Sequence, residues 1–345
     1  MTPDAEHPPA PAPAIDRLGR PLRDLRISVT DRCNFRCPHC MPAEVFGRDH
    51  PFLRGDALLT FEEIERIARA AVALGVEKLR ITGGEPLLRP GLEHLIERLA
   101  GIAGVRDLAL TTNGALLARR AASLRAAGLR RITVSLDALD APTFARMSGG
   151  FGDVASVLAG IEAAQAAGLR PVKVNAVIRR GVNDHAIEAL ARRFHRSGCI
   201  LRFIEYMDVG ACNGWSPAEV VGGDEIVRRV DAILPLEPTS RKTPGEVARR
   251  FRYRDGGGEI GVVTSVTRPF CGGCTRARLA ADGTLYTCLF STRGEDLRAL
   301  VRGPEAGALE RRLAAIWARR DDRYSELRGR LPILGDKVEM SRVGG

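Results

Sequence analysis

Three cysteines fall inside eight residues, Cys33, Cys37 and Cys40, spaced C-x3-C-x2-C. Thiols packed this closely read as a metal site rather than as packing. A four-iron cube is held by thiolates, one per iron. This loop offers three, and the next cysteine is Cys199, so a cube here would keep one iron without a protein ligand. An open metal position is where a small molecule binds and reacts. Zinc with a fourth ligand from elsewhere, or a disulfide, are the alternatives. A second set, Cys271-x2-Cys274-x13-Cys288, again supplies three ligands. Zinc would need a fourth; no histidine follows His195, which leaves Cys212 as the candidate, whereas a second cube would again have an open iron. Arg276 and Arg278 flank that set and suit phosphates or a purine edge.

These groups must be held by a scaffold, and the chain supplies a repeating one. Leu25–Thr30 alternates apolar and polar residues and predicts a strand that ends at the first cysteine loop. Thr60 to Glu63 is a capping box, and the apolar spacing that follows predicts a helix stopped at Gly75. Strands are predicted at 78–82, 107–112, 131–136, 172–178 and 200–206. Helices are predicted near 92–100, 118–127, 153–167, 184–196 and 224–233. Six strand–helix units imply a parallel sheet curled into a barrel, two units short of a complete (βα)8 ring. The fold class is therefore α/β, a partial (βα)6 barrel of the TIM type over 15–235. A cluster-binding α+β extension covers 236–330, and a tail of 331–345 ends in Gly344-Gly345. Pro235, Pro238 and Pro244 mark a linker, 259–264 a strand, 279–290 a hairpin around Asp282-Gly283, and 305–319 a helix. The Pro/Ala-rich residues 1–14 read as a disordered tail. The first cysteine loop, Gly83-Gly84-Glu85-Pro86, Thr112-Asn113-Gly114 and Ser135-Leu136-Asp137 all fall at carboxyl ends of strands, where barrel enzymes keep their active sites.

Strand interiors add a second clue. Buried parallel strands usually read as apolar runs. Here Arg26, Ser28 and Thr30 share one face of the first strand, and Lys78, Arg80 and Thr82 one face of the second. Lys173 and Asn175 alternate in the fifth strand, and the sixth carries Arg202. The apolar face must meet the outer helices, so the polar face lines the lumen. A lumen with several cations is a hydrated anion site.

The totals agree. A net charge of +10 comes from 52 basic and 42 acidic residues. Only four of the basic residues are lysine, and the arginines spread along the whole chain. Aromatics are only 5%, so a basic face interleaved with aromatics, as RNA binding needs, is not expected, and no nucleic-acid partner is predicted. The amino terminus has no apolar core and no run of about 18 apolar residues occurs, which implies neither a signal peptide nor a membrane span. A cytoplasmic location follows, where thiols stay reduced. Cys199 and Cys212 are left over as buried bystanders.

The C-x3-C-x2-C loop resembles that of the radical S-adenosylmethionine (SAM) enzymes. Together with the segments 25–33, 80–86, 111–114, 134–137, 173–175 and 202–208, Cys271-Gly272-Gly273-Cys274-Thr275-Arg276-Ala277-Arg278 and the terminal Gly-Gly, the chain resembles the GTP 3′,8-cyclase family of molybdenum cofactor biosynthesis from about Leu18 onward. The resemblance implies two [4Fe–4S] clusters, on Cys33, Cys37 and Cys40 and on Cys271, Cys274 and Cys288. It implies SAM contacts by His39, Gly84, Ser135 and Met207, and GTP contacts by Arg26, Arg80, Thr111, Lys173, Arg276 and Arg278. In the family the residue at His39 is typically tyrosine or phenylalanine; histidine keeps a flat ring but opens the question of its charge. The first cysteine set, Arg276 and Arg278 take the catalytic roles, and the Gly-Gly tail, with Arg342 near it, enters the active site. The implied reaction is abstraction of the ribose 3′ hydrogen of GTP by a 5′-deoxyadenosyl radical, then closure onto guanine C8 to give (8S)-3′,8-cyclo-7,8-dihydroguanosine 5′-triphosphate. Implied partners are a low-potential electron donor of the flavodoxin or ferredoxin type and a downstream cyclic pyranopterin monophosphate synthase. A homodimer is compatible with the sequence.

Overall fold

The computed structural model describes residues 13–240, 245–330 and 336–344. The strand–helix repeat runs β1 (Asp24–Ser28), α1 (Phe61–Ala73), β2 (Lys78–Thr82), α2 (Leu92–Ala100), β3 (Asp107–Thr112), α3 (Ala121–Ala126) and β4 (Arg131–Ser135). It continues through α4 (Ala141–Ser148), α5 (Val154–Ala166), β5 (Val172–Ile178), α6 (Ile187–Phe194), β6 (Ile200–Glu205) and α7 (Gly223–Asp231). Then come β7 (Leu236–Thr239), β8 (Ala248–Tyr253), β9 (Glu259–Val263), β10 (Arg276–Leu279), β11 (Thr284–Tyr286) and β12 (Glu295–Asp296). The last helices are α8 (Arg298–Arg302), α9 (Ala308–Ala318), α10 (Tyr324–Leu327) and α11 (Met340–Val343).

The predicted capping box starts α1: the Glu63 backbone N–H donates to Thr60 Oγ1 at 3.2 Å, and the Thr60 N–H donates to Glu63 Oε2 at 2.8 Å. Leu25, Ile27 and Val29 are buried in one apolar core with Ile64, Ile67 and Ala71 of α1. Each fully buried aliphatic side chain stabilises this layer by about 1.5–3 kcal/mol.

Among the described residues, twelve strands form one sheet in the order β12-β11-β10-β1-β2-β3-β4-β5-β6-β9-β8-β7. The segment after residue 235 thus joins both edges. β9 pairs parallel with β6, and β10 pairs parallel with β1. Eight adjacent strands, β10, β1 to β6 and β9, are therefore parallel, but the sheet stays open among the described residues, with β12 and β7 as its edges.

Three expectations are corrected. The proline-marked linker contains β7 and is followed by β8, an antiparallel pair. Pro238 is tolerated because β7 is an edge strand that needs no outward N–H. Helix α4 was not predicted; it is capped by Asp140, whose Oδ1 accepts from the Thr143 N–H at 2.9 Å. Ala14, assigned to the tail, is pinned: its N–H donates to Leu74 O at 2.9 Å. Residues 1–12, 241–244 with the expected linker residue Pro244, 331–335 and Gly345 lie outside the described residues.

Candidate active site

Strand register assembles the cations. Arg26 lies in register with Arg80 on one side and Arg278 on the other. Asp24 lies between Lys78 and Arg276, and Thr133 between Thr111 and Lys173. Asn175 is beside Arg202. Like charges on directly opposed strand positions destabilise a sheet, so this row needs a counter-charge. Asp24 supplies one, with Oδ2 2.8 Å from Lys78 Nζ. Its carboxyl is held well below the usual range: burial opposes ionisation, but Lys78, Arg26 and Arg80 outweigh it.

The remaining cations are in excess. Burial, with Arg278, Arg80 and Arg276 around it, pushes the Arg26 guanidinium down. Burial and the neighbours Arg202, Arg131, Arg80 and Lys78 bring Lys173 down to about 6. The buried Nε atoms of Arg26, Arg80 and Arg202 have no hydrogen-bond partner. Buried donors without partners are rare and costly, and a polyanion would satisfy these. Arg80 is aimed by hydrogen bonds from Nη1 to Thr111 Oγ1 at 3.2 Å and Thr133 Oγ1 at 3.4 Å.

A cavity of about 810 Å³ runs along this row from strand starts such as Lys78 and Arg131 to strand ends such as Gly84 and Ser135. Its volume is at the upper end for small-molecule sites. Every candidate site residue read from the sequence lines it: the six cluster cysteines, His39, Gly84, Ser135, Met207, Arg26, Arg80, Thr111, Lys173, Arg276 and Arg278. Cys199 lies in the apolar core and Cys212 elsewhere: its Sγ donates to Glu339 Oε2 at 3.0 Å.

The first cysteine loop is held from three sides. Gly84 packs so closely on it that a Cβ there would lie 2.2 Å from Arg32 O. Buried Glu85 accepts from Asn113 N at 2.7 Å and from Thr112 Oγ1 at 2.7 Å, tying the ends of β2 and β3 together; burial raises its pKa to about 7. Asn113 Nδ2 in turn donates to Asn34 Oδ1 at 2.8 Å. Arg36 Nη1 donates to Cys33 O at 2.7 Å. His39 is partly exposed to the cavity; burial and the nearby Arg179 lower its pKa to about 4, so the ring is neutral near pH 7.

The second set is anchored by groups the sequence did not single out. Asp16 is buried between Arg20, whose Nε is 2.6 Å from Oδ2, and Arg320, whose Nη1 is 2.9 Å from it. Arg20 Nη1 donates to Cys271 O at 2.8 Å, and Arg320 Nη1 donates to Cys274 O at 2.9 Å. Arg276 Nη2 donates to Cys274 Sγ at 3.3 Å. Burial raises the Cys274 thiol, but Arg276 and Arg320 more than offset this and hold it at about 6.

All eight cysteines are free thiols. Burial raises Cys33 to about 11 and Cys288 to about 12, and raises Cys37 and Cys40 as well. Among the described residues no three His, Cys, Asp or Glu side chains converge on a single ion. Cys33, Cys37, Cys40 and Cys288, which burial disfavours as thiolates, are groups whose ionised form a bound metal would stabilise.

Gly344 is seated against the lumen end of β1, β2 and β10. Arg278 Nη1 donates to Val343 O at 3.2 Å and also to Gly344 O. Gly344 has φ +72°, and a Cβ there would lie 2.1 Å from Thr82 Cγ2 and 3.1 Å from Ser28 Oγ. Arg342 pairs with Asp282.

Residues 27–194 match the radical SAM superfamily, and residues 199–326 match the family described as Molybdenum Cofactor Synthesis C. The chain is 58% identical to the GTP 3′,8-cyclase of Acidothermus cellulolyticus, over 96% of this chain and 99% of that one. It is 52% identical to the GTP 3′,8-cyclase of Xanthomonas axonopodis over 97% and 99%, and 46% identical to that of Staphylococcus saprophyticus over 96% and 98%. Among solved structures, Streptococcus suis SuiB bound to its precursor peptide SuiA superposes with a TM-score of 0.61 at 17% identity, covering 89% of this chain and 67% of that one, a likeness of fold alone. With its open parallel barrel, paired cysteine sets and cationic lumen, the chain belongs to the GTP 3′,8-cyclase family of radical SAM enzymes.

Proposed function

We propose that this chain closes GTP between ribose C3′ and guanine C8 within its lumen, the first step of molybdenum cofactor biosynthesis. One observation carries this reading: a single cavity is lined at once by both cysteine triads and by Arg26, Arg80, Lys173, Arg276 and Arg278.

In this proposal Cys33, Cys37 and Cys40 hold one [4Fe–4S] cluster, and Cys271, Cys274 and Cys288 hold a second. SAM lies against His39, Gly84, Ser135 and Met207. A reduced cluster bound by the first set would supply the electron for cleavage of SAM to methionine and the 5′-deoxyadenosyl radical, which takes the hydrogen from ribose C3′. The chain's own residues do the rest. Arg26, Arg80 and Lys173, with Thr111, take the triphosphate, whose charge relieves their mutual repulsion. Lys78 and Arg202 belong to the same anion site by position. Arg276 and Arg278 orient the guanine beside the second cysteine set. Gly344, seated between Ser28 and Thr82, helps exclude water from the reacting atoms. A low-potential donor of the flavodoxin or ferredoxin type delivers the electron, and the product passes to a cyclic pyranopterin monophosphate synthase. Free thiols at all eight cysteines suit a reducing cytoplasm; no described helix is long and apolar enough to cross a membrane.

The test is anaerobic reconstitution with iron and sulfide, then reductant, SAM and GTP. About eight irons per chain and a cyclised nucleotide of unchanged mass are expected. Turnover of SAM that ignores GTP would contradict the reading.

A further inference from the structure

The tip of the carboxy-terminal segment reaches Arg278, and the residues that precede the tip are gripped by the loop that follows β6. Lys337 Nζ donates to Asp208 Oδ2 at 2.9 Å, to Asp208 O at 2.5 Å and to Tyr324 OH at 3.2 Å. Asp208 is 7% exposed and also accepts from Arg328 Nε at 3.0 Å and from Tyr324 OH. Two residues on, the Glu339 carboxylate sits over Gly210 to Cys212. Its Oε1 accepts from the Ala211 N–H at 2.9 Å, and its Oε2 from Cys212 Sγ at 3.0 Å. Gly210 has φ +76°, and a Cβ there would lie 2.1 Å from Glu339 Oε2. The loop is shaped around that carboxylate. It begins at Met207, which lines the cavity, and Asn213 Nδ2 fixes it by donating to Met207 O at 3.1 Å and Val209 O at 3.0 Å.

We propose that residues 208–212 form a receptor for the carboxy-terminal segment, in which Asp208 seats Lys337 and the Gly210–Cys212 turn seats Glu339. Lys337 and Glu339 are then positioning residues: neither lines the cavity, and they deliver Gly344 to Arg278. Because the receptor is continuous with Met207, SAM and the seated segment stabilise each other. Linkage makes that coupling reciprocal. This rests on the cyclase reading for the meaning of the Arg278 contact, but not for the contacts themselves.

The test uses reconstituted full-length protein with Lys337→Met, Glu339→Ala and Lys337→Arg. Hydrogen–deuterium exchange of the 337–344 amides, with and without SAM, reads the seating without turnover. Product formed per 5′-deoxyadenosine reads its consequence. A charged, largely buried hydrogen bond stabilises enough to make exchange about tenfold or more faster when it is lost. We expect that acceleration in Lys337→Met and Glu339→Ala, with SAM protection of the segment weakened and iron content unchanged. Product per 5′-deoxyadenosine should fall about tenfold, and Lys337→Arg should restore most of both. Exchange equal to that of the unaltered protein overturns the receptor. Faster exchange with an unchanged product ratio overturns the positioning role and leaves the contacts merely structural. If the unaltered protein makes no cyclised nucleotide, the cyclase reading fails instead, while the exchange result still decides whether the receptor exists.

Discussion

Lys173→Arg should change how many protons the protein takes up on binding GTP while keeping a positive charge in the lumen. Burial and four neighbouring cations leave Lys173 at about 6, and burial leaves Lys78 at about 8 despite its pairing with Asp24. At about pH 8 the free protein therefore holds Lys173 almost wholly neutral and Lys78 about half charged. A triphosphate placed beside them favours the ammonium form of both. Binding should then take up about 1.5 protons, about one of them at Lys173. The bound state holds more protons, so affinity falls as pH rises above about 6, by at most about tenfold per pH unit for each proton taken up. Below about 6 the Lys173 contribution is flat. The terminal phosphate of GTP itself titrates near 6, so the measurement belongs between about pH 7.5 and 9. Calorimetric titration in two buffers of different ionisation heat counts the protons directly. In Lys173→Arg the guanidinium is always charged, and uptake should drop to about half a proton. Equal uptake by the two proteins, or proton release by the unaltered one, would refute the placement of the triphosphate against Lys173.

Three further outcomes are expected. Cys271→Ser should lower reconstituted iron from about eight to about four per chain and abolish cyclisation, measured by iron assay and product mass. Gly84→Ala puts a methyl 2.2 Å from Arg32 O, and SAM binding by equilibrium dialysis should weaken at least about tenfold, since backbone cannot give way as a side-chain end can. His39→Tyr should alter kcat less than about threefold, because the neutral His39 ring presents no charge that tyrosine would remove.

The barrel was legible because its signals are local. Alternation in Leu25–Thr30, Lys78–Thr82 and Val172–Ile178 and the Thr60 capping box each sit within one element. The cationic lumen was legible too, since alternation decides which residues share a face. What stayed hidden depends on contacts distant in sequence. Nothing near Arg276 says that β10 pairs with β1, or near Glu259 that β9 pairs with β6, so the sequence counted six parallel strands where eight lie side by side. Pro238 suggested a linker because a proline argues against an interior strand, and only the edge position of β7 permits it. Asp16, Arg20 and Arg320 carry no local signal; they are more than 300 residues apart at the extremes and meet behind the second cysteine set. Helix α4 did carry a signal, Asp140 followed by Pro142 at the start of a helix, and could have been read.

The most direct measurement is an anaerobic turnover of reconstituted protein with SAM and GTP deuterated at ribose C3′, following 5′-deoxyadenosine by mass. Deuterium in the deoxyadenosine, formed only when GTP is present, is the predicted result and fixes both the substrate and the abstracted atom. Deoxyadenosine that forms without label, or at the same rate without GTP, would contradict the assignment of the arginine-lined lumen to GTP.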